Sequence, residues 1–210
     1  MDANLLFIYP MKPVKVGLSI FDTIDPNNYY MESKYDGWRC IVVINSQPSL
    51  WTRVKTKIDM PINLYEQILS LKLPEGTVLD GEIWTPTKRG SWRHNQNVIC
   101  NLTLWDAIRS GPNNLSSLPL TQRRLELEKL IGSGTNEIKL TEVLPATKEV
   151  YLGVERSAKE HKALGQCHSG FIHGTVLKRR ESPRRDHSIA SKEHSDWLKL
   201  VIPGMQSGEK

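Results

Sequence analysis

The sequence predicts an α+β protein in which antiparallel sheets are flanked by helices. Three observations lead there. The run Cys40 to Ile44, the turn Asn45 to Ser49 and the run Leu50 to Val54 form two apolar strands joined as an antiparallel pair. Ile62, Tyr65, Ile68, Leu69, Leu71 and Leu73 recur at helical spacing and stop at Pro74-Glu75-Gly76, which marks a packing helix. The chain then enters a further strand, Thr77 to Trp84, whose alternation puts Asp80, Glu82 and Trp84 on one face.

Composition allows such a fold and excludes several alternatives. With 210 residues, 39% hydrophobic and 24% charged, the chain can bury a sizeable core within one domain, so disorder is not the default. A net charge of +5 and a pI near 9.1 suit a polyanionic partner. The longest N-terminal apolar run, Leu5 to Tyr9, is too short for a signal sequence or a membrane span, and no longer one follows. An intracellular protein with no membrane partner is therefore expected. Cys40, Cys100 and Cys167 are odd in number, widely spaced and outside any C-x-x-C pattern, which fits reduced core thiols.

In chain order, residues 1–30 are a lead-in that packs on the core and turns at Asp25-Pro26-Asn27-Asn28. Residues 32–36 are extended and run through Gly37 into the strand at Cys40. The hairpin that follows presents Arg53 close to the end of this segment, within reach of a phosphate or ribose. Residues 85–97 hold Lys88, Arg89, Trp92 and Arg93. Such a basic and aromatic loop suits a nucleic-acid backbone and an exposed base, although the same composition also describes a plain surface loop. Val98 to Leu104 is the next strand, closed by Trp105-Asp106. Thr121 caps a helix with a polar Arg123-Arg124 face and an apolar side of Leu125, Leu127, Leu130 and Ile131, ended by Gly132. Leu140 to Leu144 is a strand, and Val150 to Leu164 a helix with Glu155 to Lys162 as its solvated face. Phe171 to Lys178 is another strand, Arg179 to His194 a mobile basic loop with Arg179, Arg180, Arg184 and Arg185, and Trp197 to Val201 the last strand. Cys167, His168 and His173 lack a fourth ligand at a recognisable zinc spacing.

The chemistry concentrates in Met31-Glu32-Ser33-Lys34-Tyr35-Asp36-Gly37-Trp38-Arg39. An extended segment puts Glu32, Lys34 and Asp36 on one face, so an amine lies between carboxylates. A surface lysine stays protonated, whereas one in a pocket facing a polyphosphate and a metal can lose its proton and attack. By itself the Lys34-Tyr35-Asp36-Gly37 tetrapeptide also describes an exposed hairpin with ordinary charges.

The longer form Lys34-Tyr35-Asp36-Gly37-Trp38-Arg39 resembles the nucleotidyl-transfer motif of ATP-dependent DNA ligases and mRNA capping enzymes. Further segments match in order: Thr52-Arg53, Leu79-Asp80-Gly81-Glu82-Ile83-Trp84, Leu102-Thr103-Leu104-Trp105-Asp106, Gly174-Thr175-Val176-Leu177-Lys178 and Trp197-Leu198-Lys199-Leu200. Tyr9-Pro10-Met11 and Leu118-Pro119-Leu120-Thr121-Gln122-Arg123-Arg124 also match, so the resemblance covers nearly the whole chain.

This resemblance implies an ATP-grasp-like nucleotidyltransferase core over residues 1–202, a tail at 203–210 and no following OB-fold domain, as in a small phage- or virus-like form. It implies Lys34 as the nucleophile, with Glu32, Arg39, Arg53, Glu82, Trp105, Lys178 and Lys199 around ATP. Glu82, with Asp36 as a second carboxylate, would take magnesium, and Trp105 would stack on the purine. The implied partner is nicked double-stranded DNA, held by Lys88, Arg89, Arg93, Arg179, Arg180, Arg184 and Arg185, with a protein partner as one source of the absent clamp. The implied place is the cytoplasm or nucleoid, or the host cytoplasm for a viral chain. Two positions depart from the pattern: His173 stands where glutamate is usual, and Val201 where a second lysine follows Lys199. A DNA ligase acting through lysyl-AMP is the reading; the alternatives are an RNA ligase or capping-type enzyme, and a binding module that has lost turnover.

Overall fold

In the computed structural model, which describes residues 6–85, 97–164, 172–185 and 192–205, the chain builds two sheets. The first sheet runs in the order β1 (Lys12–Lys15), β12 (Glu193–Val201), β11 (Ile172–Arg179), β2 (Tyr29–Tyr35), β10 (Val143–Pro145). The second runs β5 (Lys57–Ile58), β4 (Pro48–Thr52), β3 (Trp38–Ile44), β6 (Val78–Trp84), β7 (Asn101–Ser110), β8 (Asn113–Asn114), with β9 (Ile138–Leu140) against β7. Asp36-Gly37 joins β2 to β3. The chain thus leaves one sheet and enters the other immediately after Lys34.

Alternation along the strands decides which faces are covered. In the first sheet Met31, Leu177, Leu198 and Leu200 point away from the second sheet and pack with Tyr151 and Ala158 of α3 (Lys148–Ala163). In the second, Cys40, Val42, Leu79, Leu102 and Leu104 pack with Leu64 and Ile68 of α1 (Ile62–Ser70) and with Leu127 and Ile131 of α2 (Leu120–Ile131). Each such side chain contributes about 1.5–3 kcal/mol when fully buried. The opposite face of the second sheet is covered only in part: Leu6 and Phe7 lie with Ile41, Val43, Trp51, Val78 and Ile108. Beyond them the same face carries Arg39 and Glu82, paired across β3 and β6, and opens into a groove against the first sheet. Close backbone approach at Gly174 keeps that sheet tight, since a Cβ there would overlap the Leu200 carbonyl.

Several elements differ from the sequence reading. The sheets are mixed, because β1 runs parallel to β12 and β9 parallel to β7. The strand expected at Val98 to Leu104 begins at Asn101 and continues to Ser110, so Trp105-Asp106 lies inside it. Leu140 to Leu144 is two short strands, β9 and β10. Thr121 is not a cap: α2 starts at Leu120 behind Pro119, and the Thr121 hydroxyl donates to Glu181. The Arg123-Arg124 face is not solvated. Arg123 holds buried Asp106 through two hydrogen bonds and donates to the Leu118 and Ser182 carbonyls, while Arg124 donates to the Thr141 carbonyl. The supposed basic loop from Arg179 to His194 is shortened at both ends by β11 and β12.

Cys40 and Cys100 are free and buried, and burial pushes the Cys100 thiol up to about 12, which keeps it protonated and inert. Among the described residues no helix is long and apolar enough to cross a membrane.

Candidate active site in the groove between the sheets

The groove encloses about 720 Å³, the size range of small-molecule sites. Three rows of the first sheet form one wall. Lys34 lies beside Gly174, and Gly174 beside Val201; Glu32 lies beside Val176, and Val176 beside Lys199; Tyr30 lies beside Lys178, and Lys178 beside Trp197. Arg39, Glu82 and Trp105 form the other wall, and Thr52, Arg53 and Thr56 from the end of the β4 hairpin line the rim. Six lysines and arginines against three carboxylates face the cavity, a balance suited to a polyanion.

Trp105 reaches the groove through a β-bulge. Gly81 pairs with Leu104 and Asp80 with Asp106, so one step on β6 matches two on β7, and Trp105 is the extra residue. Leu104 still faces the helices, whereas the bulge lets Trp105 and Asp106 both turn toward the first sheet, as bulges beside functional sites do. The Lys178 ammonium sits 5.2 Å from the Trp105 ring centre and 4.4 Å from that of Trp197, and the Arg39 guanidinium 5.6 Å from each. Two indole rings and two cations therefore form one end of the groove.

Beneath that end lies a buried chain of ion pairs. Arg39 donates to Asp80 at 3.0 and 2.7 Å and to the Met11 carbonyl at 2.7 Å. Arg184 bridges Asp80 at 2.7 Å and Asp106 at 2.9 Å, and Arg123 closes the chain on Asp106 at 2.8 and 3.1 Å. Burial alone would raise both carboxyls. The arginines outweigh it, and both stay below the ordinary carboxylate range, Asp80 through Arg39 and Arg184, Asp106 through Arg123 and Arg184.

One sequence reading falls here. Arg184 is not on a nucleic-acid surface, because its side chain is fully buried between two aspartates. Asp80, on the same strand face as Glu82, is wholly buried and held by Arg39 and Arg184. Arg39 lines the groove as wall, each of its three nitrogens donating once to Asp80 or Met11.

Glu32 and Lys178 meet at 2.6 Å, both nearly inaccessible. Burial pushes Glu32 up and Lys178 down, each toward its neutral form, and their mutual contact opposes both shifts. Glu82 accepts from the Gly37 amide at 2.6 Å. A Cβ at Gly37 would strike the Ile83 carbonyl at 2.5 Å and Glu82 Cγ at 2.8 Å, so only glycine lets this turn lie against β6. Arg179 and Arg185 are exposed and face Asp196 at 3.9 and 3.3 Å; Arg180 is partly exposed, donates to the Asn27 carbonyl and lies 4.8 Å from the Tyr30 ring centre. Lys88, Arg89, Arg93, Cys167 and His168 lie outside the described residues. The sequence reading missed Lys12 and the Trp197 ring as lining. Period two from Lys199 would have found Trp197, but Lys12 arrives only through the long-range pairing of β1 with β12.

Groove residues fit a nucleotide. Glu32 Oε1 and the Trp105 and Trp197 Nε1 atoms are buried with no hydrogen-bond partner in the protein. An acceptor and indole faces of this kind suit a purine carrying an amino group. Glu82 and Asp36 are carboxylates on the groove, and magnesium takes one or two carboxylates and otherwise binds phosphate oxygens and water.

The architecture matches that of the nucleotidyltransferase domains of ATP-dependent DNA ligases, two mixed sheets flanked by helices, α1 to α3 among the described residues, with a groove between them. Among solved structures, the ligase domain of M. tuberculosis LigD superposes with a TM-score of 0.67 at 18% identity, covering 96% of this chain and 61% of that one. The ATP-dependent DNA ligase of bacteriophage T7, in complex with ATP, gives 0.52 at 16% identity over 92% of this chain and 68% of that one. In sequence, the chain is similar to the SPbeta prophage-derived DNA ligase-like protein LigB of Bacillus subtilis (strain 168), 26% identical over 196 residues. The match covers 87% of this chain and 64% of that relative, so the chain spans less than two thirds of it. No family model matches.

Proposed function

We propose that this protein is an ATP-dependent DNA ligase that works through a lysyl-AMP intermediate on Lys34. The observation that carries the reading is Lys34 on the groove wall, two strands from Lys199 on the same sheet face and opposite Glu82 and Trp105. The Lys34 amine forms a bond to the α-phosphorus of ATP while the bond from that phosphorus to the bridging oxygen breaks. Pyrophosphate leaves with the electron pair, and the proton lost by the amine goes to water. Lys199 and Arg53 offset the developing charge, and Glu82 and Asp36 would hold magnesium, which would supply further positive charge there. The adenylate then passes from Lys34 to the 5′-phosphate at a nick, and the 3′-hydroxyl displaces AMP. Phosphoryl transfer of this kind depends on positioning and charge, which a preformed groove supplies.

Glu32 Oε1 favours ATP over GTP, because adenine presents an amino group where guanine presents an acceptor oxygen. Incubation with ATP labelled at the α-phosphate and magnesium, followed by a denaturing gel, tests the assignment. Label is expected on the wild type and none on Lys34→Ala or Lys34→Arg. Nucleotide binding without label would leave a binding module, and label from GTP alone a capping-type enzyme. Trp105→Ala is expected to weaken ATP binding about tenfold in a calorimetric titration, from lost stacking of about 1–3 kcal/mol, and Glu82→Ala to slow labelling more than it weakens binding.

A further inference from the structure

His173 is set on Lys34 by a second bulge. Tyr35 pairs with Ile172 and Lys34 with Gly174, so one step on β2 matches two on β11, and His173 is the extra residue. Its side chain is almost fully buried, lines the groove and brings Nε2 to 2.6 Å from Lys34 Nζ. Nδ1 lies 3.6 Å from an Asp36 carboxylate oxygen, the residue that begins the turn after Lys34. At 2.6 Å the two nitrogens are within hydrogen-bond reach of each other, and the Asp36 carboxylate flanks the ring on its Nδ1 side. The Ile202 amide donates to the His173 carbonyl at 2.9 Å, which anchors the bulge to the strand end that carries Val201.

We infer that His173 is a positioning residue for the nucleophile: with Asp36 behind it, it holds the Lys34 amine in one direction across the groove. The inference rests on the adenylation reading above. A lysine side chain has four rotatable bonds and loses much of its directional accuracy without a fixed partner. Within its row Lys34 is flanked by Gly174 and Val201, neither of which has a polar side chain, and the bulge brings the imidazole nitrogen to its amine. Misplacement of a reacting atom by about 1 Å costs on the order of a hundredfold in rate.

Two amide variants separate this role from packing. The longer amide of His173→Gln reaches as far as Nε2 and offers an acceptor there, whereas the shorter amide of His173→Asn ends near the Nδ1 position and falls short of Lys34. Single-turnover self-labelling at saturating ATP is measured for both, with ATP affinity by calorimetry and folding by thermal melt. We expect His173→Gln to keep the wild-type rate within about fivefold and His173→Asn to lose on the order of thirtyfold, with affinity nearly equal in the two. Equal rates in the two variants, whether fast or slow, overturn the inference, as does a loss confined to ATP affinity. Absence of label on the wild type is a different result, which removes the adenylation reading itself.

Discussion

Arg184→Met is expected to destabilise the protein by about 3–5 kcal/mol, because it removes one partner from two buried carboxylates at once. Asp80 keeps Arg39 and Asp106 keeps Arg123, but the bridge that joins the two pairs is gone, and a buried apolar side chain then lies against two charged oxygens. A thermal melt should shift down by roughly 10 °C in a chain of this size. The pH dependence has a defined sign. Both aspartates have folded-state values below their unfolded ones, so their contribution is present above about pH 4 and is lost as the pH falls through the depressed folded values. In Arg184→Met each carboxyl has lost a cation, its folded value moves up toward the unfolded one, and acid unfolding should begin at a higher pH. An unchanged melt and an unchanged acid limb would mean that the bridge contributes nothing, and Arg184 would again be a candidate for binding a partner.

The second large effect concerns the arginines that reach solvent. Replacing Arg179, Arg180 and Arg185 together by glutamate is expected to weaken binding of a nicked duplex on the order of a hundredfold, since each phosphate contact carries a log-log salt slope of about 0.9. All three lie at one end of the first sheet, outside the groove lining. Self-labelling with ATP should therefore stay near the wild-type rate while nick sealing falls. Asp196 already faces Arg179 and Arg185, so part of their charge is balanced within the protein, and Asp196→Asn should strengthen duplex binding as the triple variant weakens it. Binding measured by titration from low to high salt decides the matter. Salt-insensitive affinity, or loss of labelling together with sealing, would place these charges in the fold or the nucleotide site.

The behaviour of these arginines marks the boundary between what the chain's local pattern holds and what it does not. Glu82, Lys178 and Lys199 were legible as groove residues through the resemblance of their segments to the ligase motifs, and period two along residues 32–36 added that Glu32 and Lys34 share a face. The turn at Asp36-Gly37 was legible too, whereas its crossing from one sheet to the other, through a glycine that alone fits against Ile83 and Glu82, came from the structure. Arg179, Arg180, Arg184 and Arg185 look alike in sequence, yet three reach solvent and one is the centre of a buried ion chain. Asp80 and Glu82 share a strand face, yet one lies under Arg39 and the other at the cavity.

Those differences come from partners far away in sequence: Asp106 and Asp80 for Arg184, Met11 for Arg39, β12 for Lys12. The two bulges have the same origin. Nothing local to Trp105 or His173 announces an extra residue, because a bulge is a mismatch between two strands and exists only once their register is set. The sequence by itself determined the strand faces, the turn at Gly37 and the candidate nucleophile. Tertiary structure alone decided which charges are buried and which two strand pairs are bulged, since burial and register depend on what packs across the fold.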